Sequence, residues 1–431
     1  MKKILSVILA ALLLLAALPA LADGGISVVV GGEEISFDQP PIIKDGRTLV
    51  PVRGVFEALG CTVSWSEANQ QVTVVNGDEE ISFRLGSGRY EKLKNGQAES
   101  EGQFDVAPQA VNGRTLIPVR DISEAFGFDV EWNEDTGTVV INDADTIKIG
   151  ILQLVTHPAL DAINNGFIDA INDSGLKVYI EHKNAEGDFV NSVDDAEEYV
   201  REEKDLILAF STPSAQAASF RTKDIPILFT AVSQPVEAGL IQSPAHPGGN
   251  ISGTLDTYPV EAQLQLLRRR APEARTVVVV YPDWDSYFAA AAKQAEEILT
   301  GMGLNVITMS VEYYNTDFNE LVASCLDQAQ AVYALNVGAD FESAGIPTVY
   351  SRSDIVYSLV TYDINYYNLG YRTGRMAVRY LSGEVESVGD MPVEQLSDDE
   401  LDIVVNWELA SAMGITPEDI EMYAPGYKVE Q

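Results

Sequence analysis

Two short segments rich in hydroxyl groups carry the side chains best suited to bind a small ligand. Ser-Thr-Pro-Ser at 211–214 follows an apolar run and opens a helical pattern, and Thr-Ala-Val-Ser-Gln-Pro at 230–235 repeats this arrangement after the next apolar run. A helix that begins in such a segment presents free backbone N–H groups and the positive end of its dipole, which attract a carboxylate. Ordinary helix capping explains either segment alone equally well. Two such segments on consecutive strands favour a ligand cleft.

Three further side chains are candidates for the same cleft. His157 lies in a His-Pro loop after the apolar run 147–154 and has no Ser-His-Asp or Cys-His context, so it is expected to hydrogen-bond a ligand or shape the loop rather than act as a base. Trp284 could cover a flat apolar ligand; alternatively it packs on the hinge while Asp285 caps a helix. Asp363 either contacts the ligand or, as we slightly prefer, caps the helix after it.

From residue 147 onward the pattern predicts strands that alternate with helices, which is typical of parallel sheets. The predicted strands are 147–154, 176–180, 205–210, 225–230, 276–281, 305–310, 331–335 and 347–350. The predicted helices include 159–174, 286–302, 317–329 and 367–382. Open α/β sheets bind ligands at the carboxyl edge of their strands, where the candidate loops would lie. About 280 residues are enough for two such lobes.

The first third of the chain contains two copies of one motif at an offset of 67 residues, DGRTLVPVRGVFEALGCTVSW and NGRTLIPVRDISEAFGFDVEW. The positions that match include Gly46/Gly113, Arg47/Arg114, Pro51/Pro118, Arg53/Arg120, Glu57/Glu124, Gly60/Gly127 and Trp65/Trp132. Each copy predicts a tight turn, an extended segment, a helix ended by Gly and a strand. Arg and Glu four residues apart would pair on one helix face. We interpret the motif residues as architectural, holding a small α+β unit together.

This doubled motif, over about residues 26–142, resembles the copper amine oxidase N-terminal-like domain, which is common in secreted proteins of Gram-positive bacteria. Copper oxidase chemistry needs a His-rich metal site and a modified Tyr, both in a separate catalytic domain. The chain has only His157, His182 and His246, without metal-ligand spacing. We therefore expect no metal, no cofactor and no oxidase activity, and a role for the repeats as a surface spacer or wall-associated module.

Five ordered segments carry a second resemblance. They read QLVTHPALD, AFSTPSAQAA, DIPILFTAVSQPVEAGL, HPGGNISGTLD and TYDINYYNLGYRTGRMA. Over about residues 146–415 the chain resembles ABC-transporter substrate-binding proteins of the tryptophan and aromatic amino-acid type. The resemblance implies a type I periplasmic-binding-protein fold, in which crossover strands join two α/β lobes around the ligand. The chain departs from these relatives after the strand 331–335, where a helix is shortened or missing.

Composition and the N-terminus indicate the compartment. A formal charge of −37, spread along the chain, disfavours nucleic acid and anionic membranes as partners. Two lysines, an apolar run over 4–18 and Pro-Ala-Leu-Ala are typical of a secretory signal peptide cleaved after Ala22, a retained membrane anchor being the alternative. No lipid-anchor Cys follows. Cys61 and Cys325 lie in different predicted domains, so we expect two buried thiols rather than a disulfide.

The predicted domains follow from these patterns. They are a signal peptide (1–22), a first repeat (23–80), a second repeat (81–143) and a substrate-binding domain (146–420), with lobe one at about 146–258 plus part of 355–415 and lobe two at about 274–352. The fold class is α/β: a two-lobed periplasmic-binding-protein fold preceded by a small α+β repeat domain.

The predicted function is that of a secreted, non-enzymatic solute-binding protein of an ABC importer, with a permease and an ATPase as partners. Its ligand would be a small carboxylate, an aromatic or branched-chain amino acid. The predicted ligand-binding residues are Thr156, His157, Ser211, Thr212, Ser214, Ala231, Ser233, Trp284 and Asp363. The alternative is a cell-surface sensor or wall-associated interaction protein that keeps the binding fold without transport. No nucleophile–base pair, metal cluster or phosphate loop supports an enzyme.

Overall fold

The computed structural model describes residues 25–134, 136–312 and 316–427. The proposed signal peptide, 1–22, lies outside these ranges. The chain divides into two compact units: residues up to 146 together with 177–179, and 147–176 together with 180 onward. Across the described ranges, no helix combines the length and apolar character that a membrane span requires.

The N-terminal unit is built mainly of short antiparallel strands with two small helices. Its strands are β1 Ser27–Val30, β2 Glu33–Glu34, β3 Ile42–Lys44, β4 Arg47–Pro51, β5 Thr62–Ser66, β6 Gln71–Asn76, β7 Glu79–Arg84, β8 Arg89–Lys94, β9 Gln97–Gln103, β10 Gln109–Val111, β11 Arg114–Pro118, β12 Phe128–Asn133 and β13 Thr138–Asp143. Its helices are α1 Val52–Ala58 and α2 Val119–Ala125. They form three sheets, ordered β12-β13-β1-β2, β10-β11-β4-β3 and β5-β6-β7-β8-β9.

The two sequence repeats meet around a pseudo-two-fold axis. In the sheet β10-β11-β4-β3, Val50 pairs with its own equivalent, Ile117, and the neighbouring pairs are Leu49 with Pro118 and Pro51 with Leu116. Each repeat contributes one hairpin, whose Asp-Gly or Asn-Gly turn has positive φ at both residues, as a type I′ turn requires. The predicted order of turn, strand, helix and strand in each repeat is confirmed. The repeats share this central sheet and one core, so neither is a separate body.

The C-terminal unit contains two parallel sheets and their helices. Its strands are β14 Ile147–Gln153, β15 Val178–Asn184, β16 Leu206–Phe210, β17 Ile227–Val232, β18 Ile251–Leu255, β19 Thr276–Pro282, β20 Asn305–Val311, β21 Ala331–Ala334, β22 Thr348–Tyr350, β23 Val360–Asp363 and β24 Asp402–Val405. Its α-helices are α3 Pro158–Ser174, α4 Phe189–Arg201, α5 Ser211–Arg221, α6 Val260–Arg270, α7 Ser286–Gly301, α8 Phe318–Gln328, α9 Tyr366–Leu381, α10 Trp407–Ala412 and α11 Pro417–Tyr423.

Lobe one contains the five-stranded sheet β15-β14-β16-β17-β18. Every residue of β16 is buried, because a central parallel strand is covered by helices on both faces. Helix α9 returns to this lobe and packs on α3, with Gly166 and Gly370 at the contact. A Cβ at Gly370 would lie 1.9 Å from the Ile163 carbonyl oxygen, so this close approach requires glycine.

Lobe two contains the four-stranded sheet β20-β19-β21-β22. Residues 335–347, all of which the structure describes, contain no helix, which agrees with the prediction that a helix is shortened or missing here. This connection is nevertheless buried in the lobe core through Val337, Phe341 and Ile346. The crossovers run from β18 to α6 and from β22 to β23, and β23 pairs with β24 in a two-stranded antiparallel ribbon.

Most predicted elements are confirmed, with three differences. The predicted strand 176–180 is shifted to β15, Val178–Asn184. Helix α5 begins at Ser211 itself and its N-cap residue Phe210 makes no side-chain cap, so the helix-capping explanation for the hydroxyl groups of 211–214 is wrong. Strands β18, β23 and β24 were not predicted. Cys61 and Cys325 are buried free thiols.

Candidate functional site

The carboxyl ends of four lobe-one strands lie in a row. Gln153 of β14 pairs with Phe210 of β16, and Phe210 pairs with Thr230 of β17. At the far side, the Asp256 N–H donates to the Val232 carbonyl oxygen (3.1 Å). The loops that follow these strands are therefore neighbours. The strand order changes direction between β14 and β16, and ligands of open α/β sheets bind at this switch point.

Three buried polar atoms at the switch point lack hydrogen-bond partners among the described residues: Gln153 Oε1, Ser211 Oγ and Ser214 Oγ. Buried polar groups in native proteins are normally hydrogen-bonded, so these three atoms have capacity for a further hydrogen bond. Ser211 also has φ +74°, a left-handed conformation that costs energy for a side chain with a Cβ. The Ser214 side chain is fully buried and is therefore the least accessible of the predicted ligand residues.

The His157 loop is ordered by local hydrogen bonds. His157 is the N-cap of α3, and its Nδ1 accepts from the Ala159 N–H (3.2 Å). The Thr156 hydroxyl accepts from Asn184 Nδ2 at 2.9 Å. Both side chains are exposed at the edge of the sheet. His157 therefore stabilises the loop through Nδ1, and its Nε2 takes no part in this cap.

The remaining lobe-one candidates lie beside these groups. Thr212, Ala231 and Ser233 are half-buried, and Ala231 has φ +56°, a second left-handed residue at this edge. Behind them the hydroxyl of Thr254 joins Thr230 (3.0 Å) and Thr373 (2.8 Å) in a buried chain. Because this chain links β17, β18 and α9, the polar edge is held by satisfied hydrogen bonds underneath it.

Two carboxylates lie at the two crossovers between the lobes. Asp256 follows β18, and Asp363 ends β23. Asp363 accepts from the Ser353 N–H (3.0 Å), the Ser353 hydroxyl and the Ile364 N–H (2.8 Å). Asn365, not Asp363, caps α9, so the preferred capping role of Asp363 is wrong. Asp256 makes no side-chain hydrogen bond or ion pair with any residue in the described ranges.

The electrostatics of this pair are unusual. Burial, and then the charge of Asp363, raise the pKa of Asp256 to about 6. Burial is also the main cause that raises the pKa of Tyr258 to about 12, with Arg352 opposing it. Tyr366 has a raised pKa because of burial and the two carboxylates. A desolvated carboxylate without a hydrogen-bond or ion-pair partner among the described residues is suited to bind a cation.

Sequence reasoning missed Asp256. It follows the segment Ile-Ser-Gly-Thr-Leu, which has hydroxyl groups and a glycine where a buried strand normally has apolar residues. Ser252 is buried because its hydroxyl donates to the Met391 carbonyl oxygen (2.8 Å). Recognising 251–255 as a fifth strand would have placed Asp256 at the sheet edge.

Lobe two contributes aromatic surface at its own switch point between β19 and β21. Trp284 follows β19 and is 49% exposed. Asp285 caps α7, its Oδ1 accepting from the Tyr287 N–H (2.9 Å), as one of our alternatives proposed. The left-handed residue Asn336 lies two residues after β21, and its N–H donates to the Ser351 hydroxyl (3.0 Å). The lobe-two edge is therefore polar but internally satisfied.

A cavity of about 340 Å³ lies beside the first crossover. Leu255, Thr257, Tyr258, Tyr287 and Gln294 are among its lining residues, whereas Asp256 is not. The cavity therefore adjoins the crossover without including the Asp256 carboxylate in its lining. Among the described residues no group of His, Cys, Asp or Glu could hold a metal ion.

Comparisons with known proteins agree with this geometry. Residues 148–427 match the family of ABC transporter substrate binding proteins, and residues 29–141 match the copper amine oxidase N-terminal domain. A tyrosine-binding protein of Clostridioides difficile (strain R20291) is 35% identical over 282 residues, which cover 62% of this chain and 80% of that protein. A protease inhibitor of Brevibacillus choshinensis is 29% identical over 126 residues, 29% of this chain and 36% of that protein.

Among solved structures, the chain is similar to a ligand-free, open substrate binding protein with adhesive properties from Clostridium difficile. The two are 37% identical; the match covers 63% of this chain and 96% of that chain, with a TM-score of 0.54. The expected two-lobed type I periplasmic-binding-protein fold is confirmed. The chain belongs to the ABC transporter substrate-binding protein family.

Proposed function

We propose that the C-terminal unit binds a free α-amino acid between its two lobes and delivers it to an ABC permease. The observation that carries this proposal is Asp256: a carboxylate without a partner among the described residues, at the same sheet edge as the unsatisfied groups around Ser211. Asp256 would hold the ligand ammonium. The Ser211 hydroxyl and the free N–H groups at the start of α5 would hold the ligand carboxylate.

The spacing supports a zwitterionic ligand. Asp256 and Ser211 follow β18 and β16, which lie two strands apart, so their backbones are separated by roughly 10 Å. An α-amino acid with one hydrogen bond of about 2.8 Å at each end fits between the two side chains. Thr156, His157, Thr212, Ala231 and Ser233 would surround it; Ser214 would support the loop from beneath, and Asp363 would position the pair.

The ligand side chain is proposed to be aromatic. The relative from Clostridioides difficile is a tyrosine-binding protein. Trp284, half-exposed on lobe two, would cover a flat side chain when the lobes close, and closure would exclude water from the polar contacts. Arg352 and Tyr258 lie by the crossovers, where closure would bring lobe two against the ligand.

The cellular setting follows from the family and the leader. Substrate-binding proteins of this family are extracellular or periplasmic. For this chain we propose secretion with cleavage after Ala22, docking on a permease with its ATPase, no enzymatic activity, and a contact of the N-terminal repeats with the cell wall. A second candidate is a surface sensor or adhesion protein; the adhesive properties of the solved C. difficile relative favour it.

Calorimetric titration of the mature chain with Tyr, Trp, Phe, branched-chain amino acids and nucleosides tests the proposal. We expect an aromatic amino acid to bind with micromolar or tighter affinity. Tyramine, which lacks the carboxylate, and N-acetyltyrosine, which lacks the ammonium, serve as matched controls and should each bind at least tenfold more weakly. Silence across the panel, or equal affinity for Tyr and both analogues, would contradict the zwitterion mechanism.

A further inference from the structure

The N-terminal unit carries two equivalent grooves related by its pseudo-two-fold axis. The first groove, about 710 Å³, is lined by Trp65, Arg53, Asp38 and Arg114 among others. The second groove, about 560 Å³, is lined by the residues that stand 67 positions away: Trp132, Arg120, Asp105 and Arg47. Each groove is therefore lined by the same residue types at equivalent positions: one Trp, one Asp and two Arg.

Each groove takes residues from both repeats. In the first groove, Arg114 of the second repeat donates through Nε to Asp38 of the first repeat (2.9 Å). In the second groove the exchange is reversed, and Arg47 Nε donates to Asp105 Oδ2 at 2.6 Å. Both ion pairs are about half-exposed, so their remaining N–H groups and lone pairs face the groove and the solvent. Each pair supplies hydrogen-bond donors and acceptors to the lining of its groove.

Each groove is also lined by an indole ring. Trp65 is 39% exposed and Trp132 is 41% exposed, whereas the aromatic residues of the unit's core, such as Phe56 and Phe83, are buried. Trp65 Nε1 donates to Glu67 Oε2 (3.0 Å), which fixes the ring orientation. Core packing does not explain why both repeats have a partly exposed tryptophan at the same position.

The architectural interpretation holds for only part of the motif. The turn glycines Gly46 and Gly113 and the strand residues Leu49 and Leu116 shape the fold or fill its core. In contrast, Arg53 pairs with Glu57 and Arg120 with Glu124 on exposed helix faces, and such surface pairs add little stability. The arginines and tryptophans that recur in both repeats line the grooves.

We propose that each groove binds sugar units of a neutral, β-1,4-linked glycan. The flat face of an equatorially substituted pyranose is lined with C–H groups and would lie on the indole, as apolar groups do on aromatic rings. The Arg–Asp pair would hydrogen-bond the neighbouring hydroxyl groups. The carboxylates in each groove and the net charge of −37 disfavour an anionic polymer. Two copies of one site suit a polymer with a repeating unit.

Titration of the full mature chain with chitohexaose and with cellohexaose tests this site. At least one of them should bind at two sites per chain. Trp65→Ala and Trp132→Ala should each remove one site, and the double variant should lose both, with at least a tenfold fall in apparent affinity. Trp65→Phe, which keeps an aromatic face, should retain binding with a smaller loss. Circular dichroism of each variant shows whether the fold is intact.

Trp284→Ala is the matched control, because this tryptophan lies in the other unit and should leave glycan binding unchanged. The double Trp65/Trp132 variant should in turn keep its amino-acid binding, so failure of the glycan site and failure of the amino-acid site are distinguishable. The proposal is overturned if neither hexasaccharide binds or if a folded double variant binds as well as the parent. A proline-rich peptide that binds the grooves in place of both glycans would overturn it too.

Discussion

The two lobes of the binding unit have related topologies but treat the polar groups at their cleft edges differently. In lobe one, Ser211 Oγ and Gln153 Oε1 are buried without partners in the described ranges, and Asp256 is unpaired. In lobe two, Asp285 and Asn336 are engaged by their own neighbours, and the exposed group is an aromatic ring. The difference indicates that the two lobes have different roles. Lobe one has polar groups available to hydrogen-bond a ligand, and lobe two has an aromatic ring that can cover it.

The lobes also differ in how they hold a buried cation. In lobe two, Arg270 of α6 is 7% exposed and pairs with Glu342, which is 3% exposed. Glu342 lies in the connection 335–347, so this ion pair anchors the segment that lacks a helix. In lobe one the buried Lys204 pairs with two carboxylates, Glu181 (2.8 Å) and Glu202 (3.0 Å).

The largest expected effect comes from Glu342→Ala. It would leave the Arg270 charge buried and without its carboxylate, which costs about 3–5 kcal/mol of folding free energy. Hydrogen exchange should show loss of protection in lobe two before lobe one, and the melting temperature should fall by roughly 10 °C.

The matched control is Glu181→Ala in lobe one, where Lys204 keeps Glu202. We expect it to cost less than half as much, because a carboxylate still neutralises the lysine. Equally large losses would show that Glu202 does not compensate for Glu181, and a small loss in Glu342→Ala would show that the lobe-two connection does not depend on this ion pair.

Asp256→Asn should weaken binding and strengthen the fold at once. Loss of the charged partner for an ammonium should reduce amino-acid affinity about 30-fold, or about 2 kcal/mol. The folded-state pKa of about 6 lies above the ordinary value of about 3.9, so the ionised group destabilises the ligand-free fold at neutral pH. The Asn variant should therefore gain roughly 2 kcal/mol at pH 7.5 in denaturant unfolding. A loss of stability there would show that Asp256 is a structural group.

The same pKa fixes the direction of two pH dependences. Because the folded protein binds a proton at Asp256 more readily than the unfolded chain does, Asp256 contributes a gain in stability as pH falls from above 6 toward 4. Affinity should move the other way, falling about tenfold per pH unit below pH 6, since a protonated Asp256 cannot pair with an ammonium group. Titrations of the parent and of Asp256→Asn between pH 5 and 8 check this, and the variant's affinity should stay flat.

The sequence predicted most of the fold and only half of the polar edge, for physical reasons. Apolar runs such as 206–210 identify central strands because both faces are buried. Strand β18 has no such run. Its Thr254 is buried because its hydroxyl hydrogen-bonds to that of Thr373, which lies 119 residues away in the sequence. The neighbouring sequence gives no sign of such a distant partner. Asp256 was missed with that strand. The 67-residue repeat was visible in the sequence. The pairing of Val50 with Ile117, which brings the two repeats together, depends on tertiary structure and could not be predicted from it.

The smallest expected effects come from glycine at the two strained strand ends. Ser211 (φ +74°) and Asn336 (φ +50°) adopt left-handed conformations at equivalent edges of the two sheets. Ser211→Gly should stabilise the ligand-free fold by up to about 1 kcal/mol and lower amino-acid affinity several-fold, because it relieves strain and removes an orphaned hydroxyl. Asn336→Gly should change stability by less than about 0.5 kcal/mol, since Asn tolerates this region, and leave affinity unchanged. Calorimetry of both variants, with and without ligand, measures stability and affinity. Equal losses of affinity would show that the strained residue of lobe two also contributes to binding.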